Sequence, residues 1–280
     1  MSEPHRPTER RVDLDGLAVT IRDGDGSEPP VVLVHGGMDR SSSFGRVLRH
    51  LPGVPVTRYD RRGYGRSQPG VAVDLDRHVA DLLAVVGDRR PVVFGHSLGG
   101  TVALTAAARH PGRIAALAVY ESPTPWLSPP RPHRGTGLRG LAPAEAAERF
   151  MISMVGEGIW NRLPAATRDA RRAEGAALLA DIAAADGTPR FDPAAVTIPV
   201  LVGSGGAGEP YRAGEADDLA AALPDAARVV VDGARHGVHL ADPAATAGLI
   251  RRLRGLAARP DTARPDTARP DTATRTRSTP

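Results

Sequence analysis

The chain has 280 residues, 41% of them hydrophobic, enough to bury one large core. It holds no cysteine, which excludes disulfides, a thiol nucleophile and a cysteine metal site. All 36 basic residues are arginine, so the isoelectric point reaches 10.2 although the net charge is only +4; the high value reflects arginine usage rather than a basic surface, and nucleic acid is not an expected partner.

No apolar run approaches the roughly 20 residues that span a bilayer, so no membrane partner is expected. The first seven residues are charged and proline-bearing with no apolar core of a signal peptide, and a cytoplasmic location is the default expectation.

In chain order, residues 1–10 read as a disordered lead. Residues 11–22 alternate around Asp15-Gly16, a hairpin signal. A fully apolar strand follows over residues 30–34 and ends in His35-Gly36-Gly37, where glycines let a loop approach a ligand. A helix is expected over 43–51. A strand over 54–60 runs into Asp60-Arg61-Arg62-Gly63-Tyr64-Gly65-Arg66-Ser67, and residues 73–87 show helical spacing with a glycine stop. Strands over 91–96 and 113–121 flank an alanine-rich helix that starts at Leu98. Alternation of strand and helix predicts an α/β fold, a mostly parallel central sheet with helices on both faces.

Residues 122–197 break the rhythm. A Pro/Gly/Ser/Arg-rich stretch precedes two helical regions, 143–156 and 165–185, and an inserted helical cap is the simplest account. The strand–helix rhythm resumes over 198–257, with strands at 198–203 and 228–231 and helices at 213–223 and 243–256. From Arg259 the unit Arg-Pro-Asp-Thr-Ala occurs three times in tandem. So polar a repeat cannot bury a core, and 258–280 reads as a disordered tail. The expected organisation is therefore a lead (1–10), a core in two parts (11–121 and 198–257), a cap (122–197) and a tail.

The strand at 91–96 and the helix from Leu98 are joined by Gly95-x-Ser97-x-Gly99. A serine on so tight a turn is forced into a strained backbone conformation, and bulky neighbours two residues away would collide where strand meets helix. Its Oγ is exposed next to the N–H of Leu98, at a helix N-terminus where negative charge is favoured. This is the nucleophile-elbow pattern.

Together, His35-Gly36-Gly37, the Asp60–Ser67 turn, Gly95-His96-Ser97-Leu98-Gly99-Gly100 and Gly233-Ala234-Arg235-His236 resemble the α/β-hydrolase superfamily, and the resemblance covers residues 11–257 outside the cap. Within it the chain is similar to lid-bearing serine hydrolases of the esterase, lactonase and cofactor-free haloperoxidase kind. A serine at the elbow sets it apart from the epoxide-hydrolase and haloalkane-dehalogenase branches, whose nucleophile is an aspartate.

The resemblance implies Ser97 as nucleophile and His236, rather than His239, as its base. It implies an oxyanion hole of the Leu98 and Gly37 N–H groups, with Met38 the weaker second donor. His35 and His96 are expected to orient loops beside the site, and Asp60 and Arg62 to build a turn. The triad acid is open: the loop after Val200–Gly203 carries no aspartate, leaving Glu121, at the end of the preceding strand, or Glu209. Glu121 is preferred, because strand ends are rigid. In the cap, Trp126, Phe150, Met151, Met154 and Trp160 are candidates to line the substrate pocket. No cofactor or metal is implied. The expected activity is hydrolysis of an ester, thioester, lactone or related small acyl substrate through an acyl-enzyme. The alternatives are a ligand-binding relative with little turnover, and a haloperoxidase or acyltransferase.

Overall fold

In the computed structural model, residues 8–129 and 136–258 are described. Strands β1 (Glu9–Leu14) and β2 (Leu17–Arg22) form the hairpin across Asp15-Gly16, with Leu14 opposite Leu17. β1 starts inside the segment read as a lead. Its charged, exposed residues hide the strand from a hydrophobicity reading, yet Glu9 pairs with Arg22 in the ladder and its carboxylate accepts from Arg58 at 3.0 Å. Residues 1–7 lie outside the described residues.

Next come β3 (Val31–Val34), β4 (Val56–Tyr59), α1 (Leu75–Val86), β5 (Val92–His96), α2 (Leu98–Arg109) and β6 (Ala116–Tyr120). The helix expected over 43–51 is a 3₁₀ helix, Ser41–His50. Asp74 caps α1 by accepting the Arg77 N–H at 2.8 Å, and Gly87 ends it at φ 59°. After the cap, β7 (Val200–Gly205), α7 (Pro210–Ala222), β8 (Ala226–Val231), α8 (Val238–Ala241) and α9 (Pro243–Ala257) close the core; in chain order the four cap helices between β6 and β7 are α3 to α6.

The eight strands lie in the order β1-β2-β4-β3-β5-β6-β7-β8, with β1, β2 and β4 pairing antiparallel and every pair from β4 to β8 parallel. Central strands are buried on both faces, which is why they read as unbroken apolar runs. Val32 and Val34 join one cluster with Leu82 and Val102 of α1 and α2. Val31 and Leu33 join the other with Phe44, Phe94 and Ile250. The parallel strands all end on one side, so the loops after β3, β5, β6, β7 and β8 converge there.

Between β6 and β7 there are four helices where two helical regions are expected: α3 (Pro143–Val155), α4 (Glu157–Arg162), α5 (Ala165–Ala173) and α6 (Gly175–Ala184). Gly156, at φ 84°, ends the first expected region, and α4 lies beyond it, between the two. The second breaks at Glu174, whose fully buried carboxylate accepts from Arg40 (2.7 Å), Arg171 (3.2 Å) and the Gly65 N–H (2.8 Å). A small cluster of Met38, Tyr64, Ala146, Ala177 and Leu178 joins these helices to the core loops. Beneath it the Arg61 guanidinium forks onto Asp181 of α6 at 2.6 and 3.1 Å, and the Tyr64 hydroxyl donates to the same carboxylate at 2.7 Å. Burial favours the protonated acid, but the charge of Arg61 together with hydrogen bonds from His78 and Arg61 outweighs it and holds Asp181 well below the usual carboxylate range.

Among the described residues no helix is long and apolar enough to cross a membrane. Residues 259–280, with the repeat, lie outside the described residues.

Candidate active site

Ser97 sits between β5 and α2 at φ 52°, ψ −129°, a region a non-glycine residue occupies at a cost of roughly 1–3 kcal/mol. The flanking glycines permit it. A Cβ on Gly95 would come within 2.7 Å of the Gly100 nitrogen, and one on Gly99 would meet the carbonyl oxygens of Val34 and His35. The turn is tied to the next strand by the Ser97 N–H, which donates to the Tyr120 carbonyl at 2.9 Å. The loop after β3 comes equally close: a Cβ on Gly36 would lie 2.8 Å from that of Ser97. Leu98, as the first residue of α2, has no carbonyl one turn back for its N–H.

His236 lies in the loop after β8, and its Nδ1 stands 2.7 Å from Oε2 of Glu121. Glu121 follows β6 directly. It is itself left-handed, at φ 46°, and its side chain is fully buried. Its second oxygen, Oε1, accepts the Gly205 N–H at 3.0 Å. The loop after β7 thus contributes a backbone donor to the carboxylate instead of a carboxylate of its own. Glu209 lines the same cleft as His236, but the partner of Nδ1 is Glu121. With Nδ1 donating to a carboxylate, Nε2 is left as an acceptor. Burial, and after it the positive charge of Arg212, push the His236 pKa well below its ordinary value, so the ring is neutral at pH 7.

The other histidines hold loops. His35, fully buried, donates from Nδ1 to the Gly36 carbonyl and accepts the Arg61 N–H at Nε2, both at 2.7 Å. Burial, then Arg61, lowers its pKa to about 4. His96 donates from Nε2 to the His236 carbonyl at 2.7 Å, fixing the backbone that carries the His236 ring. His239 stands 3.1 Å from Asp39 and packs on Phe44 and His96. Asp39, His96 and His239 are the one group among the described residues with a possible metal-ligand arrangement, their ligand atoms lying within 4.8 Å of one another. Hydrogen bonds to Asp39 and to the His236 carbonyl already engage this set. Asp60 accepts from the N–H and hydroxyl of Ser41 and from the Arg66 N–H, while Arg62 forks onto Asp81 with two contacts of 3.0 Å. Both build the turn, as expected.

With this geometry, the sequence profile described as the alpha/beta hydrolase family matches residues 31–249. The chain belongs to that family. Lipase LipV of Mycobacterium tuberculosis is 35% identical over 103 residues, which cover 36% of this chain and 40% of the lipase. Epoxide hydrolase A of the same organism is 35% identical over 126 residues, covering 42% of this chain and 39% of that enzyme. The matches thus span only about two-fifths of these relatives. A solved hydrolase from Pseudomonas aeruginosa superposes with a TM-score of 0.67 at 23% identity, covering 88% of this chain and 98% of that one, and shows the shared fold.

In this α/β hydrolase the helices between β6 and β7 and the strand-end loops line a cleft open to solvent, with Ser97, Leu98 and Gly37 among its lining residues. Met38 is not among them: its side chain lies in the cap cluster. A second cleft, lined by His236, Glu209 and Arg235, shares Ser153, Met154 and Arg212 with the first. Of the five cap residues expected to line a pocket, Phe150 and Met154 do so and three do not. Trp126 packs edge-on against Phe191 at 5.7 Å. Trp160 is buried in the cap, its Nε1 donating to Glu148 at 2.9 Å with Arg172 over its ring. Met151 packs into the cap cluster. Large side chains are scarce in this chain, and these three fill seams between alanine-rich helices. Leu178, Asp181 and Ile182 of α6 and Tyr211, Arg212 and Glu215 of α7 line the cleft but carry no local sequence signal. Their two helices read as ordinary helices until the fold sets them beside the cleft over Ser97.

Proposed function

We propose that the chain is a serine hydrolase of an ester, thioester, lactone or related small acyl substrate, acting through an acyl-enzyme. The observation that carries this reading is the strained Ser97 elbow at a cap-covered cleft, served by a neutral His236 that is hydrogen-bonded to the buried Glu121.

In this reading Nε2 of His236 takes the Ser97 proton as Oγ bonds to the acyl carbon. The carbonyl oxygen gains the negative charge and is met by the N–H groups of Leu98 and Gly37. The carbonyl re-forms as the bond to the leaving group breaks, and the imidazolium passes its proton to that group. Water then repeats the sequence: His236 accepts its proton, its oxygen bonds to the acyl carbon, and Ser97 leaves with the proton restored. Glu121 stabilises the imidazolium at both stages. The apolar walls from Phe150, Met154, Leu178 and Ile182 suit a hydrocarbon acyl portion. Lipase LipV, by its name, supports an ester; the epoxide hydrolase match does not alter the reading, because Ser97 stands at the elbow.

A fluorophosphonate probe tests the nucleophile and an ester panel of graded acyl length tests the substrate class. Labelling should occur in the wild type and vanish in Ser97→Ala, with ester turnover falling by several orders of magnitude while the fold persists. A folded Ser97→Ala protein that hydrolyses esters at the wild-type rate would remove the serine mechanism. Binding of esters without labelling or turnover would favour a ligand-binding relative.

A further inference from the structure

Resting on the acyl-transfer reading, we infer that Arg212 is a positioning residue of the catalytic apparatus, shared between Glu121 and the substrate cleft, where its charge competes with His236 for one carboxylate oxygen.

Two nitrogens approach one oxygen. The Nδ1 of His236 lies 2.7 Å from Oε2 of Glu121, and Nε of Arg212 lies 3.5 Å from the same atom. The Gly205 N–H occupies the other oxygen, Oε1. A fully buried carboxylate therefore serves two partners, and once His236 is protonated their charges repel, so whatever the carboxylate gives to the guanidinium it withholds from the imidazolium. Arg212 is permanently charged, so the group that yields is His236.

The placement of Arg212 is built rather than incidental. Pro210 at the first turn of α7 sets the helix start, and the Arg212 N–H donates to the Glu209 carbonyl at 3.0 Å. The Tyr211 ring lies 5.1 Å from its guanidinium carbon. Only 16% of the side chain is exposed, and it lines both the cleft over Ser97 and the cleft beside His236. A carboxylate that follows β6 leaves room after β7 for a glycine-rich turn, and the helix after that turn delivers the arginine.

Of the other charged or titratable groups around His236, His239 acts in the same direction as Arg212 and Asp39 against it, both less strongly. His96, at the end of β5, spends Nε2 on the His236 carbonyl, and burial, then His239 and His236, keep its pKa well below the ordinary value. His239 of α8 faces Asp39, beyond β3, and is partnered by it. Arg235 and Glu209 line the outer cleft with opposite charges. Arg212 alone among these contacts the carboxylate that holds Nδ1. The arrangement keeps His236 unprotonated, and so competent as a base, into mildly acidic solution.

The test is the titration of His236, followed by imidazole NMR with the resonance assigned through His236→Gln, in the wild type, Arg212→Met and Arg212→Lys. Without the charge the His236 midpoint should rise by about one pH unit, roughly tenfold in proton affinity. The lysine variant should retain most of the wild-type value. The acid limb of fluorophosphonate labelling at Ser97 should move by the same amount in the same direction. Coincident titrations in wild type and a folded Arg212→Met protein would overturn the inference, and so would equal shifts in the methionine and lysine variants, which would mean that shape rather than charge is responsible. If the wild type takes no label at any pH, the acyl-transfer reading fails, and the NMR titration still decides the role of Arg212.

Discussion

The loops that carry Ser97, Glu121 and His236 and the helices that cover them are held by different forces. The loops are fixed by the sheet: Ser97 and Glu121 follow β5 and β6 directly, and each N–H donates at 2.9 Å to a neighbouring strand, Ser97 to Tyr120 and Glu121 to Gly203. Both residues are left-handed without being glycine, strain the ladder can sustain because it over-determines their backbone. The cap has no such ladder. It holds to the core through a small apolar cluster, through Ala184, Phe191 and Val196 in the main core, and through buried carboxylates, Asp181 on Arg61 and Glu174 on Arg40 and the Gly65 N–H. The strand-end loops rest on hydrogen-bond register, and the helices over them on apolar packing and buried charge.

That contrast can be broken from either side. The largest effect should come from the loop side. Glu121→Gln keeps the shape of the site but removes the charge behind His236 and can hold the wrong tautomer, so kcat should fall by up to roughly 10⁴-fold. The thermal midpoint should move little, and Glu209→Gln should cost less than about threefold in rate. A large loss from Glu209→Gln with a mild one from Glu121→Gln would move the acid to the later loop.

The cap side should respond in stability. Asp181→Asn leaves the buried Arg61 charge without its partner, a defect that typically costs about 3–5 kcal/mol. At about 2–4 °C per kcal/mol for a domain of this size, calorimetry should show Tm lower by on the order of 10 °C. An unchanged Tm would mean the pair is not what fastens α6.

Acid should sharpen the same distinction. The folded-state pKa of Asp181 is depressed below its unfolded value, so its contribution is complete above about pH 4 and disappears as pH falls through the folded value. Below pH 4 the gap in Tm between wild type and Asp181→Asn should narrow. A gap that stays constant down to pH 2 would contradict the linkage.

The smallest change is Trp160→Phe, which removes the indole donor to Glu148 but keeps most of the buried ring. About 1 kcal/mol should be lost, with ester turnover nearly unaffected because Trp160 does not line the cleft. A changed acyl-length preference in this variant would return the tryptophan to the substrate pocket.

What the sequence made legible follows the same division. The parallel sheet and the elbow are written locally, in apolar runs and in Gly95-x-Ser97-x-Gly99, because period and turn chemistry act over a few residues. The acid was legible only as a choice between Glu121 and Glu209, because the loop Ser204–Pro210 holds no aspartate, and the rigidity of a strand end favoured Glu121. The cap contacts were not. Arg61 and Asp181 are 120 positions apart, and nothing near either one signals the other. Arg212 stayed hidden for a similar reason: one arginine in a chain with 36 has no distinguishing context until the fold sets it against Glu121. Trp126 and Trp160 misled because size and scarcity mark a side chain as valuable without saying whether a seam or a substrate claims it.

The cap's fastenings also give the molecule an uneven tolerance to pH. Every cation in them is a guanidinium, which does not release its proton in alkaline water, and burial followed by Asp181 raises the Tyr64 hydroxyl well above its ordinary value. Base therefore finds nothing to titrate among these groups at the seam between cap and core, whereas acid finds Asp181. Reagents that modify amines have no side-chain target there either, since the chain contains no lysine. A molecule closed in this way can be handled in alkaline buffers, or coupled to a support after a lysine is introduced at a chosen surface site, without loosening the helices over its cleft.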